Sequence, residues 1–292
     1  MPPEPVVDVV IVSYECLPHL RECLDSLRAA PPAGLGAIVV VDNASRDGTA
    51  AAVRDEFPAV SLVAMPENAG FAAATNTGIA RTRGRYILVL NPDTVVPAGA
   101  VDALVRVLDE HPEVGVCGPR LLRPDGTFDH AARRAFPTVT SALGHFSGLG
   151  RLRRAPARLA AYRAPEVESG PVDAVNGACM LVRRATLEAT GGFDEGYWMY
   201  MEDLDLCYRF AQAGWTTWYE PSVVVRHVKH GSAGAVRSVR LELAFHRGMA
   251  RFYRVHYAPG RPRVLNGLVY AGIRVKLLAW LAAGVVRRLA RR

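Results

Sequence analysis

Two segments decide the fold of this chain: VVDNAS at residues 40–45 and LVLNPD at residues 88–93. In each segment, an apolar run typical of a buried parallel strand ends at acidic or amide side chains. Ligands of an open α/β sheet bind beyond the carboxyl ends of its strands. We therefore expect Asp42, Asn91 and Asp93 to meet at one crevice. Carboxylates at a crevice in a chain of net charge +7 suggest a metal ion and a phosphate-bearing ligand.

A third acidic segment, YMEDLD at residues 200–205, lies at the start of a predicted helix. Acidic side chains at a helix N-terminus are stabilised by the helix dipole, so a purely structural role accounts for Glu202, Asp203 and Asp205. The functional alternative is that one of them is a general base, since the dipole also keeps a carboxylate ionised.

The composition is that of a globular protein with a large core, because 50% of the 292 residues are hydrophobic and 22% are charged. The positive net charge predicts an anionic partner: a nucleotide, a nucleic acid or an acidic membrane surface. The five cysteines include no C-x-x-C pair, which favours reduced thiols in a cytosolic protein over a disulfide framework or a zinc site. The N-terminal apolar run contains Asp8 and is too short for a secretory signal.

Strand and helix patterns alternate through about the first 120 residues, which predicts right-handed crossovers and a mostly parallel sheet flanked by helices. The predicted strands there are 6–12, 37–42, 61–65, 86–90 and 114–117, and the predicted helices are 17–29, 47–56, 69–83 and 97–110. The apolar residues of segment 121–171 recur with no clear period, and this absence of a pattern predicts loops with a short hairpin. The later predicted strands are 172–183, 215–219 and 222–227, and the later predicted helices are 202–214, 237–257 and 262–290.

Six motifs occur in order along residues 6–232: VSYE at 12–15, VDNASRDGT at 41–49, ENAGFAAATNTGI at 67–79, LNPDT at 90–94, GGFD at 191–194 and MEDLDLCYR at 201–209. Each is a weak signal alone, but the ordered set resembles the inverting family 2 glycosyltransferases, and within them the bacterial rhamnosyltransferase-like group. The resemblance implies an α/β, Rossmann-like domain of GT-A type, a nucleoside-diphosphate sugar donor and a divalent cation, Mg²⁺ or Mn²⁺.

On this basis we expect a GT-A-type catalytic domain at residues 1–235. Its nucleotide-sugar half would cover about 1–120 and its acceptor half about 121–235. Residues 236–292 would form a C-terminal helical extension.

The resemblance assigns donor contacts to Ser13, Tyr14, Glu15, Asp42, Asn68, Gly70 and Asn91. Asp42 can accept a hydrogen bond from the ring N–H of a base. Gly70 lies at a strand-to-helix turn, where a missing side chain lets a ligand approach the backbone. Turn chemistry mostly accounts for Ser45 to Gly48.

The metal ion is expected beside Asp93, the principal anionic ligand. Asn91 occupies the first acidic position of the family's usual D-x-D pattern and offers a neutral amide oxygen instead. By resemblance, His227 completes the metal shell, with His230 as the alternative. An N-P-D turn and a structural histidine at a strand end are the competing explanations.

Among the acids at the helix start, the resemblance indicates Asp203 as the general base, with Glu202 as the alternative and Asp205 in supporting hydrogen bonds. Trp198 and Tyr200 are candidates for the acceptor site, because sugar faces stack on aromatic rings. Core packing is the competing explanation for these aromatic residues.

Residues 264–286 are long and apolar enough to cross a bilayer of about 30 Å. Arg274 and Lys276 near the middle each cost about 2.5–3.5 kcal/mol in such a span, and RRLARR follows at 287–292. We therefore expect a basic helix at the membrane surface. The alternative is a helix packed on the domain or on the second copy of a homodimer.

The expected function is transfer of a sugar from a nucleoside-diphosphate donor to a hydroxyl of a glycan or lipid-linked acceptor in cell-envelope polysaccharide synthesis. The donor would be dTDP-rhamnose first and a UDP-hexose second, and the enzyme would be cytoplasmic and peripheral at the inner face of the membrane. The alternative is a non-catalytic sugar-nucleotide or glycan-binding protein on the same fold. Because no nucleic-acid-binding motif accompanies the basic residues, we expect no nucleic-acid partner. A dinucleotide oxidoreductase is disfavoured, because no G-x-G-x-x-G follows the first strand.

Overall fold

The computed structural model describes residues 6–137, 168–228 and 238–289. The strands in this part of the chain are β1 (Val7–Ser13), β2 (Leu35–Asp42), β3 (Ser61–Ala64), β4 (Tyr86–Leu90), β5 (Thr94–Val95), β6 (Val114–Leu122), β7 (Arg133–Arg134), β8 (Gly170–Val172), β9 (Ala174–Val175), β10 (Cys179–Arg183) and β11 (Thr216–His227). The α-helices are α1 (Leu17–Ala29), α2 (Thr49–Glu56), α3 (Phe71–Ile79), α4 (Ala100–Glu110), α5 (Arg184–Thr190), α6 (Glu202–Gln212), α7 (Val239–Phe252) and α8 (Arg263–Leu289), and a π-helix at Tyr253–Tyr257 follows α7.

A nine-stranded sheet runs through the described residues in the order β3-β2-β1-β4-β10-β6-β11-β5, with β8 also paired to β11. Strands β1, β2, β3, β4, β6 and β11 point in one direction, and β10 runs against its two neighbours. The prediction of a mostly parallel sheet flanked by helices is confirmed. A separate two-stranded sheet joins β7 to β9.

The central strands are mostly apolar because helices cover both faces of the sheet. Along β1, Val9 and Ile11 belong to one core, and Val10 and Val12 belong to the other. Helices α1 and α4 pack on the first face, whereas α3, α6 and the end of α7 pack on the second. This double cover explains why the strand signal in the sequence was a continuous apolar run.

Several element boundaries differ from the sequence-based expectation; β6, for example, extends to Leu122 and not only to residue 117. The single strand expected at 172–183 is divided between β8, β9 and β10, because Asn176 turns the chain: its Oδ1 accepts from the Ala178 N–H over 2.8 Å. The two strands expected at 215–227 form one long β11, whose pairing with β6 shifts register after Glu220. Helix α3 ends at Ile79 and not at residue 83. Beyond it, the N–H groups of Arg83 and Gly84 donate to Asp8 Oδ2, each over 2.6 Å, and so cannot continue the helix.

The predicted C-terminal helices are present, and the first of them is part of the packed core. Phe252 of α7 is buried in the second core, and His256 in the π-helix lies 2.7 Å from Asp205 of α6. Helix α8 contains the one segment of the described chain, residues 263–284, that is long and apolar enough for a membrane span, and little of that segment is buried. The domain boundary near residue 235 stays a prediction.

Candidate active site

The carboxyl ends of β2, β1 and β4 lie side by side. Ser13 pairs with Asp42 between β1 and β2, and Ile11 pairs with Leu90 between β1 and β4. The N–H of Asn43 extends this contact by donating to the Ser13 carbonyl over 2.8 Å. The loop after β1, the turn after β2 and the turn after β4 therefore share one edge of the sheet.

Glu15 joins the loop after β1 to the turn after β2. Its backbone is left-handed, with φ +50. Its N–H donates to Ser45 Oγ over 3.0 Å, and its carboxylate accepts from the Arg46 N–H over 3.0 Å. Asp42 Oδ1 accepts from the Ser45 N–H over 3.1 Å. Ser45 thus shapes the turn, while Glu15 and Asp42 each commit one carboxylate oxygen to it; Tyr14 is half-buried beside them.

Asn43 connects two loops of the candidate site, whereas turn chemistry was the only role that the sequence suggested for it. Its Nδ2 donates to Asn68 Oδ1 over 3.2 Å and to the Gly70 carbonyl over 3.1 Å, and its Oδ1 accepts from the Ala69 N–H over 3.0 Å. These bonds fasten the loop before α3 to the end of β2. Asn68 and Gly70 therefore lie next to the turn that holds Asp42.

Trp198 fills the space beside Gly70 where a Cβ atom would lie, and the expected contact of Gly70 with the donor stays a prediction. A Cβ atom at Gly70 would lie 2.3 Å from the Trp198 carbonyl oxygen. That oxygen accepts from the Phe71 N–H at the start of α3 over 2.8 Å, and the indole Nε1 of Trp198 donates to the Asn68 carbonyl over 3.3 Å. Gly70 therefore allows the segment before α6 to dock on the segment before α3.

His227, at the end of β11, lies between two carboxylates. Its Nε2 is 3.2 Å from Asp93 Oδ1, and its Nδ1 is 3.9 Å from Asp129 Oδ2. Burial alone lowers the pKa of His227, but the carboxylates of Asp129 and Asp93 outweigh it and raise the pKa to about 9. Asp93 and His227, two of the predicted metal ligands, thus lie together. Asp129 is a further side chain at this corner, which the sequence did not predict. His230 lies outside the described residues.

The side chains at this corner suit a divalent cation that also binds phosphate. Asp93 offers a carboxylate, His227 an imidazole and Asn91 an amide oxygen, a set of ligands compatible with Mn²⁺ or Mg²⁺. No cluster of three or more His, Cys, Asp or Glu side chains in the described residues is arranged to hold a metal by itself. A cation here would take its remaining ligands from the phosphates of a bound donor and from water.

Asp203 is buried at the start of α6 and is held by three contacts. Its Oδ2 accepts from the Gly177 N–H over 3.0 Å and lies 2.7 Å from Nη2 of Arg134. Its Oδ1 accepts from the Leu204 N–H over 2.7 Å. An ionised carboxylate has about four acceptor positions, so one position remains for a substrate hydroxyl.

Two consecutive residues connect the predicted base to the predicted metal corner. Gly177 donates its N–H to Asp203, and the carbonyl of the next residue, Ala178, accepts from the Asn91 N–H over 2.9 Å. Asn91 is two residues from Asp93. The end of β4 and the start of α6 therefore lie on the two sides of the turn at residues 177–178.

The other two acids of α6 have different environments. Burial raises the pKa of Glu202 to about 8, and the neighbouring charge of Asp203 adds to the effect. Asp205 is buried too, but hydrogen bonds from His256 and Arg209 outweigh the desolvation and keep its pKa below the usual range. Tyr197 also donates to Asp205 over 3.1 Å. Asp205 makes supporting hydrogen bonds, as expected.

The aromatic residues proposed for the acceptor site lie under α7. The guanidinium of Arg240 is 4.2 Å from the centroid of the Trp198 ring, and Phe245 meets the Tyr200 ring edge-on at 6.1 Å. Tyr200 and Met201 both have left-handed backbones, with φ +69 and +75. Trp198 and Tyr200 are half-buried, so packing and acceptor contact are compatible at these positions.

Comparisons with known proteins identify the family. The family model described as Glycosyl transferase family 2 matches residues 8–189, which is more than half of the chain. The chain belongs to glycosyl transferase family 2. The enzyme is 36% identical over 242 residues to the N-acetylglucosaminyl-diphospho-decaprenol L-rhamnosyltransferase of Mycobacterium tuberculosis (strain H37Rv), with 78% of each chain covered. It is also 28% identical over 170 residues to rhamnosyltransferase WbbL of Escherichia coli (strain K12), with 55% of this chain and 61% of WbbL covered.

The fold agrees with that of a solved glycosyltransferase. The mannosyltransferase PcManGT from Pyrobaculum calidifontis, solved with GDP-Man and Mn²⁺, has a TM-score of 0.59 and 22% identity, with 98% of this chain and 81% of that chain covered. The predicted membership of family 2, the rhamnosyltransferase-like character and the GT-A-type fold are confirmed. The relatives are named as transferases, so the glycosyltransferase function holds over the binding-protein alternative.

Sequence reasoning missed three residues of this glycosyltransferase's site: Asn43, Asp129 and Arg134. Asp129 and Arg134 come from the segment that lacks periodicity, where the sequence offered no strand end to point to. Their roles depend on partners far along the chain, at His227 and Asp203. For Asn43, the adjacent Asp42 was the signal, but turn chemistry explained it equally well.

We expect Gly70→Ala to weaken both the fold and donor binding, because the new Cβ would displace Trp198 and because φ +88 with ψ 174 is open essentially to glycine alone. Thermal melting with and without nucleotide sugar measures both effects. Gly48→Ala is the control, since Gly48 has the same φ of +88 but nothing within 4 Å of a Cβ. Its expected loss is about 1–2 kcal/mol. Equal losses in the two variants would show that the Trp198 contact does not matter.

Proposed function

We propose that this glycosyltransferase is an inverting, cation-dependent rhamnosyltransferase that uses dTDP-rhamnose, with a UDP-hexose as the second choice of donor. The observation that carries the proposal is the turn at residues 177–178, which joins Asp203 to the strand end that holds Asn91 and Asp93. A base and a cation site on two sides of one turn are what sugar transfer from a diphosphate needs. The rhamnosyltransferase relatives support the choice of sugar.

In the proposed reaction, Asp203 removes the proton of the acceptor hydroxyl while that oxygen attacks the anomeric carbon from the face opposite the diphosphate. The new glycosidic C–O bond forms as the bond between carbon and diphosphate oxygen breaks. The electron pair leaves with the diphosphate, the proton stays on Asp203, and the anomeric configuration inverts. A divalent cation, when bound by Asp93, His227 and Asn91, would supply charge neutralisation at the departing diphosphate.

The nucleotide would lie over the edge formed by the loop after β1 and the turn after β2. In this proposal Asp42 would accept a hydrogen bond from a base N–H, and Ser13, Tyr14 and Glu15 would contact the donor at the same edge. Asn68 and Gly70 would border the nucleotide, since Asn43 fastens their loop to the end of β2 beside Asp42. Trp198 and Tyr200 are proposed to contact the acceptor.

A lipid-linked glycan is the proposed acceptor, and the cytoplasmic face of the cell membrane is the proposed location. The Mycobacterium relative is named for a diphospho-decaprenol acceptor. In α8, four exposed apolar side chains recur at spacings of four, seven and three residues and so share one helix face: Val264, Leu268, Val275 and Leu278, with exposures of 63–76%. Such a face beside Arg274 and the basic C-terminus suits the surface of an anionic bilayer.

We expect Asp203→Asn to reduce kcat by about 10²–10⁴, the usual contribution of a general base, while the donor still binds. Transfer assays and nucleotide-sugar binding by thermal shift measure the two properties. Asp25→Asn is the matched control, because Asp25 is an exposed partner of Arg28 on α1. Turnover of Asp203→Asn at the wild-type rate would remove Asp203 from the mechanism.

Cation dependence has its own test in donor binding. We expect the nucleotide sugar to raise the melting temperature strongly with Mn²⁺ and little with EDTA, since a ligand specific to the native state stabilises it. Asp93→Asn should lose the Mn²⁺-dependent part of the shift, because an amide removes the negative charge that the cation needs. Asp25→Asn should keep it. A donor shift that is the same with EDTA as with Mn²⁺ would contradict the cation requirement.

Flotation with vesicles containing phosphatidylglycerol tests the membrane contact. We expect the wild-type protein to float and the Leu268→Glu/Leu278→Glu variant to stay in solution. Val239→Glu/Val255→Glu is the charge-matched control, since both valines are 44% exposed and lie outside α8. A wild-type protein that does not float, but whose dimer dissociates when Leu268 and Leu278 are replaced, would instead assign the apolar face to a second copy of the chain.

A further inference from the structure

Arg134 occupies a fixed position opposite the acids of α6. The short strand β7 pairs antiparallel with β9, so that Arg133 faces Val175 and Arg134 faces Ala174. Asn176 strengthens this pairing, because its N–H donates to the Ala132 carbonyl over 3.2 Å. The backbone of Arg134 is thus held by main-chain contacts that do not depend on its side chain.

Neighbouring arginines of β7 have different environments because strand side chains alternate between two faces. Arg133 packs over aromatic rings, with its guanidinium 5.0 Å from the Tyr219 centroid and 5.4 Å from the Phe128 centroid. Arg134 turns to the other face, where one nitrogen, Nη2, is 3.1 Å from the Val175 carbonyl oxygen and 2.7 Å from Asp203 Oδ2. Of the two residues, it is Arg134 that reaches the proposed base.

The carboxyls at the start of α6 form a crowded acidic group. In the described residues, the charged groups acting on Glu202 are Asp203 and Asp205 of its own helix and Arg134 of β7, and Cys207 is a further titratable neighbour of Asp203. Burial and the charge of Asp203 raise the pKa of Glu202 to about 8, well above that of an ordinary carboxyl. A positive charge close to such an acidic group offsets the repulsion between its carboxylates.

We propose that Arg134 is a positioning residue that places its positive charge against Asp203 and determines which of the Asp203 oxygens meets the acceptor. Arg134 and the Gly177 N–H together occupy Oδ2, which leaves the second acceptor position of Oδ1 for the substrate hydroxyl. This role rests on the proposed function of Asp203 as the base. Asp203 is the group that receives the substrate proton.

The test compares Arg134→Gln with Arg134→Lys in steady-state transfer assays from pH 5 to pH 9. For Arg134→Gln we expect kcat to fall by about 10–100-fold at pH 7, with the donor KM nearly unchanged. The acidic limb of kcat/KM against pH should move upward by about one unit or more, because loss of a neighbouring positive charge makes a carboxylate harder to ionise. Arg134→Lys keeps the charge but not the planar geometry and should show a smaller displacement in the same direction.

Arg251→Gln is the matched control. Arg251 forms a half-buried ion pair with Asp194, in which Nε is 2.9 Å from Oδ2 and Nη2 is 2.8 Å from Oδ1. This pair does not include the proposed base. Its loss should lower the melting temperature but leave the acidic limb in place. An Arg134→Gln enzyme whose pH profile matches the wild type would overturn the proposal.

Three further outcomes are decisive. If Arg134→Gln does not fold, Arg134→Met, which also removes the charge, takes its place: an acidic limb at the wild-type position overturns the proposal, and an upward shift supports it. If Asp203→Asn is inactive while Arg134→Gln has a wild-type profile, only the role of Arg134 fails. If Asp203→Asn is itself active, the base assignment of the proposed function fails first.

Discussion

The burial of carboxylates at the start of α6 is the constraint on which the rest of the site depends. A buried charge costs several kcal/mol unless a counter-charge and hydrogen bonds compensate for it. The charge of Asp203 is stabilised by Arg134 of β7 and by the N–H of Gly177. The charge of Asp205 is stabilised by Arg209, by Tyr197 and by His256 of the π-helix. Segments far apart in sequence must therefore converge on the first turn of one helix, and this convergence builds the walls of the active site.

The same constraint explains the unusual backbone just before α6. Tyr200 and Met201 are left-handed, a conformation that costs non-glycine residues about 1–2 kcal/mol each. This strained segment is held where Trp198 docks against Gly70 and Phe245 packs on Tyr200, and it lies so close to Gly248 of α7 that an added Cβ there would be 3.0 Å from the Tyr200 carbonyl oxygen. Because contacts on the α3 side and on the α7 side hold the strained segment in place, the acidic side chains at the start of α6 face the site and not the solvent.

Sequence patterns predicted the features that arise from local order in the chain, and missed those that depend on pairing between distant segments. The strand ends at Asp42 and Asp93 were found because apolar runs mark buried parallel strands and ligands bind at their carboxyl ends. The helix start at Glu202 was found from its acids. Arg134 and Asp129 were missed because their meaning comes from Asp203 and His227, which no local pattern connects to them. Gly70 was identified as a close-approach glycine, and the group that the structure places against it is Trp198.

The two faces of α8 decide between the ways in which this helix can meet a membrane. One face lies on protein: Ile273 is buried, Asn266 accepts a hydrogen bond from Tyr253 over 2.7 Å, and Tyr270 packs edge-on against the Tyr253 ring. A helix that packs along one face on the rest of the protein cannot be surrounded by lipid, so a single span is disfavoured despite sufficient length. An interfacial position requires only that the opposite, apolar face enter the bilayer. In that position Tyr253 and His256 would link the membrane-facing helix to Asp205, two residues from the proposed base.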